Sequence, residues 1–285
     1  MTTTAAAGVE TRGERIIGGA ELQIFVRSWR PTSARGVVVI CHGFKSHSGY
    51  YEWAAQQLAN DGLAVYALDL HGRGQSLGER YYTEHFQDYL DDLNATVRLA
   101  RSREPGLPIF LLGHSAGGVI ASCYAAEHQG ELEGLICESF AFQVYAPDVA
   151  LAVLKGLDHV VPHAHVLNLK TEFFSRDPAV IQRMNDDPYV AHEVQPTRTV
   201  AELARADETL RDEIPTIALP LLILHGTEDK AAKPSGSQFF YENAEATDKT
   251  LRLYEGHYHD LLNDLGREQV MADITRWIDE HLPSR

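Results

Sequence analysis

The sequence predicts an α/β fold, in which a mostly parallel β-sheet is covered by helices on both faces. Two features of the sequence support this prediction. Short, continuously apolar segments rich in β-branched residues are typical of strands that are buried on both sides. These segments alternate with stretches in which apolar residues recur at helical spacing, and such alternation is typical of parallel sheets.

Seven strands are predicted along the chain. Residues 21–29 alternate between polar and apolar side chains, which predicts a half-exposed antiparallel strand at the start of the sheet. Residues 250–254 also alternate, which indicates a strand near a sheet edge. Between them we predict buried parallel strands at residues 36–41, 63–70, 108–112, 132–137 and 220–224.

Helices are predicted between these strands and after the last one. Their apolar residues recur at helical spacing, as in the stripe formed by Phe86, Leu90, Leu93 and Val97. The predicted helices cover residues 50–60, 85–101, 115–128 and 265–282.

The alternation stops between residues 141 and 190, where we predict a helical insertion between two strands. A helix-like stretch in this region has a broad apolar surface, which includes Val149, Val153, Leu157 and Val160. The surface has two interpretations: ordinary packing on the core, or a cap whose underside roofs an acyl pocket. The predicted division is a disordered tail at 1–13, a core in two parts at 14–140 and 191–285, and a helical cap at 141–190.

Composition and charge exclude several classes of partner. Of the 285 residues, 44% are hydrophobic and 23% are charged, as in globular proteins. The net charge of -15 argues against nucleic acid and anionic membranes as partners, because both would repel the chain. No apolar run is long enough to span a bilayer, and the N-terminus lacks the pattern of a signal peptide.

The cysteines indicate a cellular location. Cys41, Cys123 and Cys137 lie in apolar runs, and their spacing fits neither a disulfide framework nor a zinc site. We expect free, buried thiols, which together with the missing signal peptide predict the cytoplasm.

The strongest motif is G-x-S-x-G at residues 113–117, with Ser115 at its centre. It follows a predicted strand and opens a predicted helix, the context of the nucleophile in the α/β-hydrolase fold. The turn is so tight that small residues must flank the serine, and it leaves the hydroxyl exposed above the sheet. The pattern therefore predicts that Ser115 is a nucleophile.

A serine nucleophile needs a histidine base that is held by an acid, and in this fold the chain order is serine, acid, histidine. Asp229 follows the strand at 220–224 and is the favoured acid; Glu228 and Glu138 are alternatives. The loop after the last strand contains both His257 and His259, and spacing alone does not separate them.

The oxyanion of an ester intermediate needs two N–H donors. The N–H of Ala116, at the start of the helix after Ser115, is the first candidate. The second is Phe44, because Gly43 lets the backbone turn tightly towards the serine. Removing one such donor typically raises the barrier by ~3 kcal/mol. His42 is expected to brace this loop.

A glycine-rich loop at residues 69–76 resembles the start of a dinucleotide-binding fingerprint. However, Leu77 occupies the position of the third glycine, and no helix is predicted to begin there. We therefore interpret the loop as structural and expect no cofactor.

These motifs together resemble the monoacylglycerol lipase group of α/β-hydrolases, which is often grouped with lysophospholipases. The resemblance lies in HGFKSHSGYY at 42–51, DLHGRGQSLGER at 69–80, GLPIFLLGHSAGG at 106–118 and DKTLRLYEGHYHDLL at 248–262. It implies that His259 is the catalytic histidine, Asp229 the acid, and the amides of Phe44 and Ala116 the oxyanion donors. It also implies a helical cap, an apolar acyl channel and no cofactor.

The chain departs from this family at three positions. Animal members carry a glutamate and an arginine where Ser46 and Tyr50 stand here, and those groups are thought to help hold the glycerol head. The residue after the nucleophile is often methionine in the family and is Ala116 here, which implies a roomier pocket floor.

The sequence thus predicts a serine hydrolase that cleaves monoacylglycerol-like or other small apolar acyl esters, with transient contact between the cap and a membrane. An esterase, thioesterase or peptidase with another leaving group stays open, because the fold does not determine the substrate. A metallohydrolase built on His257, His259 and Asp260, or on His163 and His165, is a weaker alternative, since neither set supplies an evident third ligand and a water. A ligand-binding protein without catalysis is the third alternative.

Overall fold

A computed structural model of the chain describes residues 2–6 and 8–283. The strands are β1 (Thr2–Ala6), β2 (Val9–Ile17), β3 (Gln23–Pro31), β4 (Gly36–Cys41), β5 (Leu63–Asp69), β6 (Ile109–His114), β7 (Gly134–Glu138), β8 (His165–Leu167), β9 (Gln195–Pro196), β10 (Leu221–Gly226) and β11 (Lys249–Tyr254). The helices are α1 (Glu52–Asn60), α2 (Phe86–Arg103), α3 (Ala116–His128), α4 (Asp148–Leu157), α5 (Pro178–Asp186), α6 (Thr197–Glu213), α7 (Pro234–Asn243) and α8 (Arg267–His281).

Nine strands form one sheet in the order β1-β2-β3-β5-β4-β6-β7-β10-β11. From β5 to β11 every neighbouring pair is parallel, whereas β1, β2 and β3 pair antiparallel at the other end. The predicted mostly parallel sheet is confirmed, and β11 lies at an edge as its alternating pattern indicated. The carboxyl ends of the parallel strands meet along one edge, where loops after several strands approach each other.

The N-terminal segment differs from the expected disordered tail at 1–13. Residues 9–13 belong to β2, which pairs with β3 along its whole length, and Val9 is buried. The segment lacks a clear local signal because few of its side chains are buried. Its backbone hydrogen bonds are made with β3, and the local sequence of the segment does not reveal this pairing. Met1 and Ala7 lie outside the described residues.

The two faces of the sheet carry separate apolar clusters because successive strand residues point to opposite sides. On β4, Val37 and Val39 pack with residues of α2, α3 and α7, whereas Val38 and Ile40 pack with residues of α1 and α8. Helices therefore cover both faces, as the sequence predicts.

The insertion between β7 and β10 contains α4, α5, α6 and a two-stranded ribbon. No strand was expected between 141 and 190, yet β8 lies there and pairs antiparallel with β9. Three residues are too few to show an alternating pattern, and their partner is distant in the chain. The predicted cap ends at residue 190, so β8 lies inside it and β9 lies beyond it, and their pairing connects the two parts. Within α6, Ala206 and Leu210 belong to the core cluster.

None of the helices in the described residues combines the length and the apolar character needed to cross a membrane.

The start of α3 packs against the end of β4, and glycine is required at that contact. A Cβ atom on Gly117 would lie 2.3 Å from the carbonyl oxygen of Cys41 and 2.4 Å from that of His42. At the next residue, Gly118, the nearest atom would lie at 3.3 Å.

We therefore predict that Gly117→Ala lowers the melting temperature and the ester-hydrolysing activity, because backbone atoms must move apart at the nucleophile turn. Gly118→Ala, in the same helical turn, is the matched control and should change both much less. Thermal unfolding and ester hydrolysis would be measured for both variants. Equal effects of the two substitutions would contradict the close approach at Gly117.

Candidate active site

Ser115 lies in the turn between β6 and α3, in a conformation that L-residues rarely adopt. Its φ is 57° and its ψ is -123°. Such backbone strain costs on the order of 1–3 kcal/mol and persists only where the surroundings enforce it. Here the Ser115 N–H donates to the carbonyl of Glu138 at 2.9 Å. A Cβ on Gly113 would lie 2.5 Å from the carbonyl oxygen of Gly117, which explains the small residues around the serine.

The structure brings Ser115, His259 and Asp229 together above the carboxyl edge of the sheet. His259 Nε2 lies 2.8 Å from Ser115 Oγ, and His259 Nδ1 lies 2.7 Å from Asp229 Oδ2. Asp229 follows β10 and His259 follows β11, and these strands are parallel neighbours. All three side chains are buried. A serine, a base and an acid therefore form one hydrogen-bonded line.

Asp229 is surrounded by donors. Its Oδ1 accepts from the N–H groups of Ala231 at 2.7 Å and Ala232 at 2.9 Å. Burial alone would raise the pKa of Asp229, but His259 and His225 hold that pKa well below its ordinary value. The carboxyl group is therefore ionised at neutral pH and available to hold an imidazole.

His225 is a residue of this site that the sequence analysis missed. Its Nε2 lies 3.0 Å from Asp229 Oδ2, and its Nδ1 lies 2.7 Å from the hydroxyl of Ser237. An Nε2 proton would point at the carboxylate while Nδ1 accepts from the serine. The sequence signal for His225 was a polar residue within an otherwise apolar, buried strand, β10.

The alternative acids and base lie elsewhere. Glu228 is exposed. Glu138 is buried, but its Oε1 accepts from the N–H of Leu262 at 3.1 Å. His257 Nδ1 lies 3.8 Å from Asp264 Oδ2 and has no hydrogen-bond partner among the described residues. Of the two histidines that spacing left open, His259 is the one between Ser115 and Asp229.

The loop after β4 passes directly beside the serine. A Cβ on Gly43 would lie only 2.6 Å from Ser115 Cβ. Phe44 follows in this loop and Ala116 begins α3, and both are buried. Among the described residues, neither amide N–H has a hydrogen-bond acceptor. Two unpaired N–H groups near the serine are what an oxyanion hole requires.

Two neighbouring groups brace this loop. His42 Nδ1 lies 2.7 Å from the carbonyl of Gly43, and its Nε2 accepts from the N–H of Leu70 at 3.1 Å. Burial lowers the pKa of His42 to about 3, so the ring is neutral. In the glycine-rich loop, the carboxylate of Asp69 accepts from the N–H groups of Ser48 and Gln75, which gives this loop a structural role.

Among the described residues, neither histidine pair of the metallohydrolase alternative belongs to a cluster of metal ligands. His163 pairs with Glu79 at 2.8 Å. Within the part of the chain that the structure describes, the potential ligands that converge are His114, Glu138 and Asp260, whose ligand atoms lie within 4.8 Å of one another. This buried cluster lies beside the loop that carries His259.

The two carboxyl groups of this cluster hold protons unusually tightly. Burial is the largest cause that raises the pKa of Asp260, which reaches about 6. Burial and the neighbouring Asp260 raise the pKa of Glu138 well above its ordinary value. The folded state therefore binds more protons here than the unfolded chain does once the pH exceeds about 4, where an unfolded carboxyl ionises.

We predict that this cluster makes the protein less stable as pH rises from about 4 to 6, because the folded state retains a proton on Asp260 that the unfolded chain releases. Asp260→Asn should therefore gain stability relative to the parent chain above pH 6. Thermal unfolding at pH 4.5 and pH 7.5 would measure this, with the exposed Asp212→Asn as control. A parallel pH dependence in Asp260→Asn and the parent chain would contradict the raised pKa.

Comparison with known proteins agrees with this geometry. A family model described as serine aminopeptidase, S33 (Hydrolase_4) matches residues 32–266. The chain is 33% identical to a monoacylglycerol lipase of Mycolicibacterium smegmatis over 276 residues, which cover 95% of this chain and 99% of the relative. It is 32% identical to a monoglyceride lipase of Homo sapiens over 263 residues, with 90% and 87% coverage.

A solved structure shows the same relationship. The crystal structure of a Paleococcus ferrophilus monoacylglycerol lipase matches with a TM-score of 0.81 and 29% identity, and the match covers 92% of this chain and 99% of that one. The resemblance to monoacylglycerol lipases and the α/β-hydrolase fold are thus confirmed, and the chain belongs to the Hydrolase_4 family of α/β-hydrolases.

Proposed function

We propose that the chain is a serine hydrolase that cleaves monoacylglycerol-like or other small apolar acyl esters through an acyl-enzyme intermediate. One observation carries the proposal: the continuous hydrogen-bonded line from Asp229 through His259 to Ser115. Membership in a family whose relatives include monoacylglycerol lipases supports the ester as the substrate class.

The first half of the reaction forms the acyl-enzyme. Asp229 accepts from Nδ1–H of His259, which leaves Nε2 free to take the proton of the Ser115 hydroxyl. Ser115 Oγ then attacks the ester carbonyl carbon, and the carbonyl oxygen becomes an oxyanion held by the amides of Phe44 and Ala116. As the intermediate collapses, His259 donates its proton to the departing alcohol.

Water completes the cycle by the same route. His259 takes a proton from the water as it attacks the acyl carbon, and it returns this proton to Ser115 Oγ as the second intermediate collapses and releases the acid. The ionised Asp229 stabilises the imidazolium that forms in each half of the reaction. None of these steps uses a metal ion or a cofactor.

The alcohol group of the natural ester is the finer part of the proposal. Ser46 and Tyr50 stand where animal members of the family carry a glutamate and an arginine. The hydroxyl groups of both residues are buried. Because Ser46 and Tyr50 differ from the residues of the animal enzymes, esters of alcohols other than glycerol, and thioesters, are the alternative substrates.

The cap offers a surface for contact with lipid. Several of its large apolar side chains are exposed, among them Val153 at 54% and Val160 at 76%. The exposed set on the cap is Tyr145, Val149, Val153, Leu157, Val160, Val161 and Val166. An exposed apolar patch of this kind suits an interface rather than water. We propose that it contacts uncharged lipid aggregates, because the net charge of -15 disfavours anionic ones.

For the location we propose the cytoplasm. Cys41, Cys123 and Cys137 are free and buried, and burial raises the pKa of each thiol. Unpaired thiols of this kind are typical of a reducing compartment.

We predict that Ser115→Ala abolishes hydrolysis of a p-nitrophenyl ester and of a 1-monoacylglycerol, with a loss of at least about 10³-fold in kcat, because no nucleophile remains. The buried Ser122→Ala, about two turns into the helix that follows Ser115, is the control and should retain activity. A fluorophosphonate probe should label the parent chain and Ser122→Ala but not Ser115→Ala. Near-normal turnover in Ser115→Ala, or loss of activity on treatment with EDTA, would refute the serine mechanism.

We further predict that Val153→Glu and Val160→Glu lower the activity on emulsified monoacylglycerol several-fold but leave hydrolysis of a soluble short-chain ester unchanged. The charge would weaken contact with the lipid surface without reaching the serine. Leu265→Glu, at an exposed apolar residue outside the cap (52% exposed), is the matched control. If all three variants behave alike on emulsified substrate, the cap is not the lipid-contacting surface.

A further inference from the structure

Glu193 lies in the insertion between β7 and β10, just beyond the predicted cap at 141–190, and connects this insertion to the loop that carries Phe44. It precedes β9 and is buried, with 2% of its surface exposed. Its Oε1 accepts from the backbone N–H of Lys45 at 2.8 Å and from Arg73 Nη1 at 2.7 Å. A carboxylate from the insertion therefore binds the residue that directly follows Phe44.

Arg73 extends the same contact to the Phe44 side chain. Its guanidinium is buried and lies 4.5 Å from the centre of the Phe44 ring. Its Nη2 donates to Gln195 Oε1 at 2.7 Å, and the Gln195 amide also donates to Glu193. The proposed reaction does not use the glycine-rich loop directly. This loop places the Arg73 guanidinium between the Phe44 ring and the residues Glu193 and Gln195 of the insertion.

The backbone at this contact is strained and needs to be held. Lys45 has a φ of 51°, in the left-handed region that a lysine rarely adopts. Its N–H belongs to the peptide group between Phe44 and Lys45, so the bond to Glu193 orients that peptide group. The Lys45 ammonium makes a second, longer contact with the carbonyl of Val190, also in the insertion. Strained residues persist where the surrounding structure enforces their conformation.

We propose that Glu193 is a positioning residue that holds the Phe44–Lys45 backbone so that the Phe44 N–H faces the oxyanion, with Arg73 as its partner. The inference rests on the proposed ester hydrolysis and adds to it a contact between the insertion that follows β7 and the oxyanion hole. Glu193 acts through the peptide group and does not touch the reacting atoms. When this contact is lost, the loop relaxes and one oxyanion donor is misplaced.

The test uses two double variants that differ at position 193, where one keeps and the other lacks a side-chain acceptor for the Lys45 N–H. Arg73→Met with Glu193→Gln removes both buried charges and keeps a side-chain oxygen at position 193. Arg73→Met with Glu193→Ala removes the charges and the acceptor. Arg73 and Glu193 are removed together, so neither of these two charges stays buried without the other, which would otherwise favour unfolding. The single variant Glu193→Ala is measured beside them.

We expect kcat on a soluble p-nitrophenyl ester to fall about 10- to 100-fold in the Ala double variant relative to the Gln double variant, because displacing an oxyanion donor costs less than removing it. KM should change little. The affinity for an aryl boronic acid, which forms a tetrahedral adduct with the serine, should fall by the same factor as kcat/KM. A merely structural role would change the melting temperature but not this affinity.

Asp158→Asn is the matched control. Asp158 is a buried carboxylate of the cap that pairs with Arg205 at 2.9 Å and lies outside the oxyanion loop. The variant should lower the melting temperature while kcat and boronate affinity stay at the parent values. Equal kcat and boronate affinity in the two double variants would overturn the inference, and so would an equal loss in Asp158→Asn. If the parent chain is active and Ser115→Ala is not, such a result would refute only the role of Glu193; if Ser115→Ala stays active, the proposed function itself fails.

Discussion

The site depends on one backbone constraint, the tight turn that carries Ser115 from β6 into α3. The turn holds Ser115 at a positive φ, and it needs the start of α3 to pack against the carbonyl groups at the end of β4. This close approach brings the loop after β4 against Ser115, so the same contact positions the nucleophile and both candidate oxyanion donors. Glycine at 43 and 117 is therefore required by geometry at the point where backbones meet.

Buried carboxyl groups near this turn behave in opposite ways, and their donors explain the difference. Asp229 accepts from two backbone N–H groups and lies beside two histidines, so its pKa is lowered in spite of burial. Asp260 and Glu138 face each other with fewer donors, so burial dominates and raises the pKa of each. Asp229 is kept ionised to hold His259, while Asp260 and Glu138, behind the same loop, release their protons at higher pH than ordinary carboxyl groups do.

The insertion between β7 and β10 contributes to lipid contact and to the loop beside Ser115. The cap exposes valines and a leucine to solvent, as a surface for lipid would. Glu193, just beyond the cap in the same insertion, binds the loop beside Ser115. The helical spacing of the valines indicates an apolar surface on the cap, although the sequence assigned that surface to core packing or to the roof of an acyl pocket. Local spacing does not indicate the contact of Glu193, since Glu193 meets Lys45 and Arg73 across 148 and 120 residues of sequence.

The sequence by itself determined the strands of the parallel sheet, the position of Ser115 and the order of the groups that follow it. These features are local: a buried strand is continuously apolar, and a nucleophile turn needs small residues on either side. Only the tertiary structure decided between His257 and His259 on geometric grounds, placed His225 beside Asp229 and paired β2 with β3. The physical reason is that hydrogen bonds between distant segments depend on how strands align, and short-range patterns carry no record of that alignment.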